Sequence, residues 1–157
     1  MAEGSHSREE TIMKVSDIIQ TKSSEVKTIR PQASARELSV RLHADQIGAM
    51  VVSDDGKSIN GIVTERDLAY GLAAHGSALP TVPVSRLMTK TVLVCSPDDS
   101  ITYVMKLMTE RRVRHLPVRE GADLVGIISI GDVLKHRLDE LQLEANVMRD
   151  YAVAAKR

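Results

Sequence analysis

Aromatic side chains are nearly missing: the 157 residues hold no Trp, no Phe and three Tyr. That removes the stacking platforms on which single-stranded nucleic acids lie, and the Trp/Tyr belt of a membrane interface. There is also no excess charge, with 21 Lys+Arg against 21 Asp+Glu, which argues against a coat for phosphate backbones. The single Cys95 forms no internal disulfide and has no second thiol for a metal site. A reducing cytoplasm is therefore the expected home. No apolar run approaches the ~18 residues of a membrane span. The polar start, Met1 to Thr11, lacks the apolar region of a secretory signal.

What is present is an ordinary globular mixture, 43% hydrophobic and 27% charged, long enough to bury a core as one domain or two packed halves. An internal repeat organises it. Val15-Ser16-Asp17-Ile18-Ile19 answers to Val84-Ser85-Arg86-Leu87-Met88, 69 positions on, and Pro31 answers to Pro97, 66 on. Ile47–Val52 matches Val113–Val118 at 66, and Gly61–Leu68 matches Gly126–Val133 at 65. The slowly falling offset is what small loop deletions produce.

Each half spells the same series of elements. A helical turn (Val15–Ile19; Val84–Met88) precedes a short strand (Thr28–Arg30; Thr91–Val94) that a proline ends, since proline lacks the ladder donor. Ser34 with Glu37 has capping-box spacing, and Ile101, Val104, Met105 and Met108 form one apolar helical face. Two strands around a turn follow, Ala49–Val52 with Ile59–Val63 and Leu116–Val118 with Leu124–Ile128. A closing helix ends each half. The expected divisions are 1–13, a disordered segment or cloning remnant; 14–75, the first repeat; 76–83, a linker; 84–137, the second repeat; and 138–157, a helical extension. Leu134, Leu138, Leu141, Ala145 and Met148 recur at spacings of 4, 3, 4 and 3. Such a stripe either packs back on its own repeat or meets a second helix in a dimer.

Two constellations carry the resemblance. The first half has Ile47-Gly48-Ala49 followed by Gly61-Ile62-Val63-Thr64-Glu65-Arg66-Asp67; the second has Arg114-His115-Leu116-Pro117-Val118 followed by Gly126-Ile127-Ile128-Ser129-Ile130-Gly131-Asp132. From Val15 to Arg137 the chain resembles a tandem CBS domain pair, or Bateman module, of the small stand-alone bacterial kind. The resemblance implies an α+β fold of two β-α-β-β-α repeats packed about a pseudo-two-fold axis, here with a C-terminal amphipathic helix added. It also implies clefts between the repeats for adenosine-containing ligands: AMP, ADP, ATP, S-adenosylmethionine, or NAD(H) in one cleft. Carried over residue by residue, Thr64 and Asp67 serve one cleft, Ser129 and Asp132 the other. The Asp reaches the ribose hydroxyls and the Ser or Thr lies near phosphate. Arg114 and His115 match phosphate-approaching positions, with Arg66 on the facing half, and Gly48, Ala49 and Pro117 lie in the strand segments whose backbone reads adenine.

Physical chemistry supports those assignments independently. A carboxylate offers two acceptors to vicinal hydroxyls, a hydroxyl at a strand-to-helix junction sits at an anion site, and arginine supplies a fork for phosphate. Aliphatic Ile29, Val94 and Ile62 can sandwich an adenine where aromatics are scarce. The blander reading of both [Ser/Thr]-x-x-Asp segments is an N-terminal capping box, and capping and ligation can coexist. Arg111 and Arg112 read as solvated, and Cys95 as a small buried hydrophobe. No metal site, Walker or Rossmann loop, or catalytic triad emerges. The expectation is a non-enzymatic regulatory module: a homodimeric nucleotide sensor acting on a separate, unidentified protein, with no nucleic-acid or membrane partner. The alternative is a structural or dimerisation scaffold whose clefts are vestigial.

Overall fold

A computed structural model describes residues 12–22 and 25–155; the polar segment 1–11 lies outside them. In chain order the elements are α1 (Val15–Thr21), β1 (Thr28–Ile29), α2 (Ala35–Asp45), β2 (Ala49–Val52), β3 (Gly61–Thr64) and α3 (Glu65–His75). Two 3-10 turns, Gly76–Thr81 and Val84–Arg86, lead to α4 (Ile101–Arg111), β4 (His115–Glu120), β5 (Asp123–Ser129) and α5 (Ile130–Ala154). This is the mixed α+β architecture that the repeat implies. The Gly76–Thr81 turn packs against α2 and α3, so the connection between halves is structured rather than a tether.

Local chemistry starts each long helix. The Ser34 hydroxyl accepts from the Glu37 amide at 3.1 Å, and its repeat partner Ser100 accepts from the Tyr103 amide at 3.1 Å, each satisfying a donor that the first helical turn leaves unpaired. Both helices end on a left-handed residue that is not glycine, Gln46 and Arg112, each at φ 53°. The two positions are 66 residues apart, so the second half has copied the backbone strain of the first.

In the first half β2 lies between β1, parallel, and β3, antiparallel, with Ile29 opposite Val52 and Ala49 opposite Thr64. The second half has only the antiparallel β4–β5 pair, His115 opposite Ser129. The expected strand Thr91–Val94 is not one: pairing is reduced to a single parallel bridge, Cys95 to Val118. The Cys95 amide donates to the Pro117 carbonyl at 3.0 Å, and the Arg119 amide to the Cys95 carbonyl at 2.8 Å. Before Cys95 the chain leaves the sheet, and Val92 and Leu93 line a cleft instead.

There are two cores, and the leading segments are exchanged between them. Val15 and Ile18 of α1 belong to the second core with Ile101, Val104, Leu116, Ile128 and Val133. Val84 belongs to the first, with Ile29, Leu38, Met50, Val52 and Val63. Matching hydrogen bonds seal both exchanges. Val15 N–H donates to Asp99 O and Ser16 N–H to Pro97 O, both 2.9 Å; Val84 N–H donates to Ala33 O at 2.8 Å and Ser85 N–H to Pro31 O at 2.9 Å. The segment opening each sequence repeat thus completes the other repeat in space, and that reciprocity generates the pseudo-two-fold axis.

Two repeat-related glycines make the exchange possible. A Cβ on Gly61 would stand 2.6 Å from Met88 Sδ, and one on Gly126 would stand 2.6 Å from Ile19 Cγ2. Only a missing side chain lets those leading segments close on the strands.

α5 joins the closing helix of the second repeat to the tail without a break. Val133 is buried, but every described residue from Leu141 onward is exposed. The stripe therefore does not pack back on its own repeat. No helix among the described residues is long and apolar enough to cross a membrane.

Candidate functional site

Two clefts flank the pseudo-two-fold axis. The larger, about 720 Å³, lies between β5/α5 of the second half and Gly48-Ala49 of the first, with Ser129 and Asp132 in its wall. The smaller, about 410 Å³, lies between Thr64-Glu65-Arg66-Asp67 and Arg114-His115. Both volumes suit a small organic ligand. The structure therefore gathers Thr64, Arg66, Asp67, Arg114 and His115 at one cleft, and Gly48, Ala49, His115, Ser129 and Asp132 at the other.

Each Asp is held by the helix it opens. Asp67 Oδ2 accepts from the Thr64 amide at 2.7 Å and its hydroxyl at 3.1 Å. Asp132 Oδ2 accepts from the Ser129 amide at 2.8 Å, and the Ser129 hydroxyl accepts from the Asp132 amide at 3.1 Å. The capping reading of both motifs is correct in the structure. It does not exhaust the carboxylates: among the described residues, Oδ1 of neither Asp67 nor Asp132 accepts a hydrogen bond. Capping fixes the rotamer and leaves one oxygen available at the cleft.

Asp132 has a further partner that no sequence motif announces. Lys22, at the end of α1, donates from Nζ to Asp132 Oδ2 at 2.7 Å and to the Ile127 carbonyl at 3.0 Å. Burial by itself would raise the Asp132 pKa, but the ammonium and the Ser129 amide outweigh it and hold the carboxyl below its ordinary value. His115 is shared. Its ring borders both clefts, and a Cβ on Gly48 would stand 3.3 Å from its Cε1 and Nε2. Burial lowers its pKa, against the opposing pull of Glu65 and Asp132.

Three expected residues lie elsewhere. Ile29 is 1% exposed and sits in the first core rather than on a cleft wall. Pro117 is buried in β4, paired with Ile127. Val94 is half-buried and lines neither cleft. For Ile29 the reason is strand alternation. At an offset of 66, Ile29 corresponds to Cys95, not Val94, and both side chains point inward. Cys95 is accordingly 3% exposed, with burial, then Asp99, pushing its thiol up to about 12. Ile62 does line the smaller cleft.

The clefts also hold residues that sequence reasoning passed over. Arg112, taken as solvated, lines the smaller cleft, as do Glu65 and Tyr70. Tyr70 stands three residues after Asp67 on α3, a spacing that puts both on one helix face, so that signal was available. The charge contrast is marked. Arg66, Arg112 and Arg114 outnumber Glu65 and Asp67 around the smaller cleft. Around the larger, Glu25, Asp45, Glu120 and Asp132 outnumber Lys22 and Lys27, and both lysines are already paired, with Asp132 and Glu25. Among the described residues no cluster of His, Cys, Asp and Glu could hold a metal ion.

Comparison with known proteins agrees with this geometry. A CBS-domain containing protein from Agrobacterium tumefaciens is 43% identical, with a TM-score of 0.76 covering 80% of this chain and 99% of that one. A mitochondrial CBS domain-containing protein of Arabidopsis thaliana is 32% identical over 67% of this chain and 55% of its own length; the chain spans just over half of that relative. The CBS domain pair of a protein solved in complex with 5′-methylthioadenosine and S-adenosyl-L-methionine superposes with a TM-score of 0.73 at 23% identity, over 82% of this chain and 98% of that one, a likeness of fold. The sequence model of the CBS domain matches twice, at residues 15–74 and 84–139. With two matches spanning most of its length, this chain belongs to the CBS domain family.

Proposed function

We propose that this chain is a regulatory module that binds adenosine-containing ligands in its two clefts and transmits occupancy to a separate protein through a change of shape or of dimer geometry. The observation that carries the reading is the pair of capped carboxylates, Asp67 and Asp132, each with an unengaged oxygen at the mouth of a helix N-terminus. A ribose hydroxyl supplies the donor such an oxygen needs, and the helix end favours a phosphate. The protein of the same fold solved with two adenosine ligands supports the class of ligand.

The arginine-rich Asp67 cleft is the site for the phosphorylated ligand: AMP, ADP, ATP or the pyrophosphate of NAD(H). Arg114 and Arg66 approach it from opposite halves, so phosphate there ties the two repeats together. Tyr70 and Ile62 are the side chains against which adenine can lie. Calorimetric titration of ligand-stripped protein with ATP tests this. Binding that falls at least tenfold in Arg114→Ala and in Asp67→Ala is expected, with Asp132→Ala affecting it less. A ligand at 100 times its dissociation constant would add about 2.7 kcal/mol of stability. No binding and no thermal stabilisation by AMP, ADP, ATP, NAD(H) or S-adenosylmethionine would overturn the proposal.

The exposed apolar stripe on α5 favours a second reading, a structural scaffold with vestigial clefts. Under that reading Asp67→Ala and Asp132→Ala leave both assembly and partner capture unchanged.

A further inference from the structure

α5 carries an apolar stripe longer than the globule can cover. Leu134, Leu138, Leu141 and Met148 are 49, 65, 46 and 72% exposed, and Ala145, Ala152 and Ala155 continue the same 3–4 spacing, all exposed. At 100° per residue the stripe is centred about 90° around the helix from buried Val133, so it faces sideways and not onto its own repeat. Beyond Glu140 the helix stands about four turns clear of the domain, a length at which an isolated helix is marginal in water. Seven successive core positions, all apolar, form the seam of a two-stranded coiled coil.

The charges beside the seam choose the occupant and its direction. With Leu138 and Ala145 at a, and Leu141 and Met148 at d, Glu144 takes a g position and Arg149 the e position five residues later. In a parallel, in-register pair, Glu144 of each helix meets Arg149 of the other, giving two attractive contacts. In the antiparallel arrangement that overlaps 138–155 fully, Glu144 faces Tyr151 and Arg149 faces Gln142, and neither charge finds its opposite. Among the described residues neither Glu144 nor Arg149 makes an ion pair within the chain. We infer that α5 is a dimerisation helix whose occupant is α5 of a second copy of this chain, parallel and in register. The inference is independent of ligand binding.

The test uses the full chain. Cys95 is 3% exposed, so an introduced thiol is the accessible one. Leu141→Cys should give a disulfide-linked dimer under mild oxidation, whereas Leu143→Cys, off the seam, should not. When Leu141→Cys and Ala152→Cys chains are mixed, parallel pairing yields only like-with-like disulfides; a mixed disulfide would overturn the inference, because only antiparallel helices bring those positions together. Analytical ultracentrifugation should show Glu144→Arg weakening the dimer roughly three- to tenfold, with Glu144→Arg plus Arg149→Glu restoring it. A monomeric wild-type protein, or a dimer indifferent to Leu138→Glu with Leu141→Glu, would also overturn it.

Discussion

Lys22 spans the pseudo-two-fold interface to reach Asp132, its Nζ 2.7 Å from Oδ2 and 3.0 Å from the carbonyl of Ile127. The equivalent place in the other half is filled differently. There the carbonyl of Ile62 accepts from the Thr89 amide at 2.9 Å, a backbone contact. One half thus closes its exchanged segment with main chain, the other with an ammonium that also engages the cleft carboxylate.

Lys22→Met should lower stability by about 1 kcal/mol, because the pair is partly buried and charge-assisted. Asp132→Asn should cost a similar amount, and the double variant less than the sum. The Asp132 carboxyl lies below its ordinary value of 3.8 in the folded state, so its contribution is complete above that value and is lost as pH falls through the folded value. Chemical denaturation between pH 5 and 2.5 should show a shallower acid loss for Asp132→Asn than for the wild type.

Gly126 and Ile19 form a second obligatory pair. Gly126→Ala sets a methyl 2.6 Å from Ile19 Cγ2 and should destabilise by about 1–3 kcal/mol through overpacking. Ile19→Ala in the same chain should recover most of that loss, read as a denaturant midpoint with unchanged m-value.

Gln46 ends α2 at φ 53°. Gln46→Gly should raise stability by about 0.5–1 kcal/mol, since glycine occupies that region without strain. Gln46 also lines the larger cleft, so the gain is read in thermal melts of the ligand-free protein.

His115 titrates below its ordinary value of 6.5, because its ring is buried between the clefts while Glu65 and Asp132 offset part of the burial. The unfolded chain therefore takes up a proton there before the folded one does. Stability from this residue is present above 6.5 and declines as pH falls from 6.5 toward the folded value. His115→Gln should flatten the stability profile between pH 6.5 and 5, and an unchanged slope would show that the ring titrates freely.

Much of this protein was legible in the chain because its information is local and written twice. Ser34 as a cap, the apolar face Ile101–Val104–Met108, and the turn before Gly61 each depend on residues within one or two helical turns. So do Thr64-x-x-Asp67 and Ser129-x-x-Asp132, where spacing alone places a carboxylate at a helix start. Their order, given once and then repeated, carried the family.

What tertiary structure decided were relationships between residues far apart in sequence. Repeat spelling assigns α1 to the first half, but the contacts of Val15 and Ile18 assign it to the second, since an apolar helical face has no address until a partner surface exists. The approach of Lys22 to Asp132, 110 residues away, leaves no local pattern. Nor does the sharing of His115 between clefts, which follows from the bare backbone at Gly48. Strand alternation sent Ile29 inward although its composition suited a ligand wall, and the missing strand before Cys95 opened one cleft to Val92 and Leu93. Local propensity names the pieces of this fold; packing across the axis chooses which faces meet.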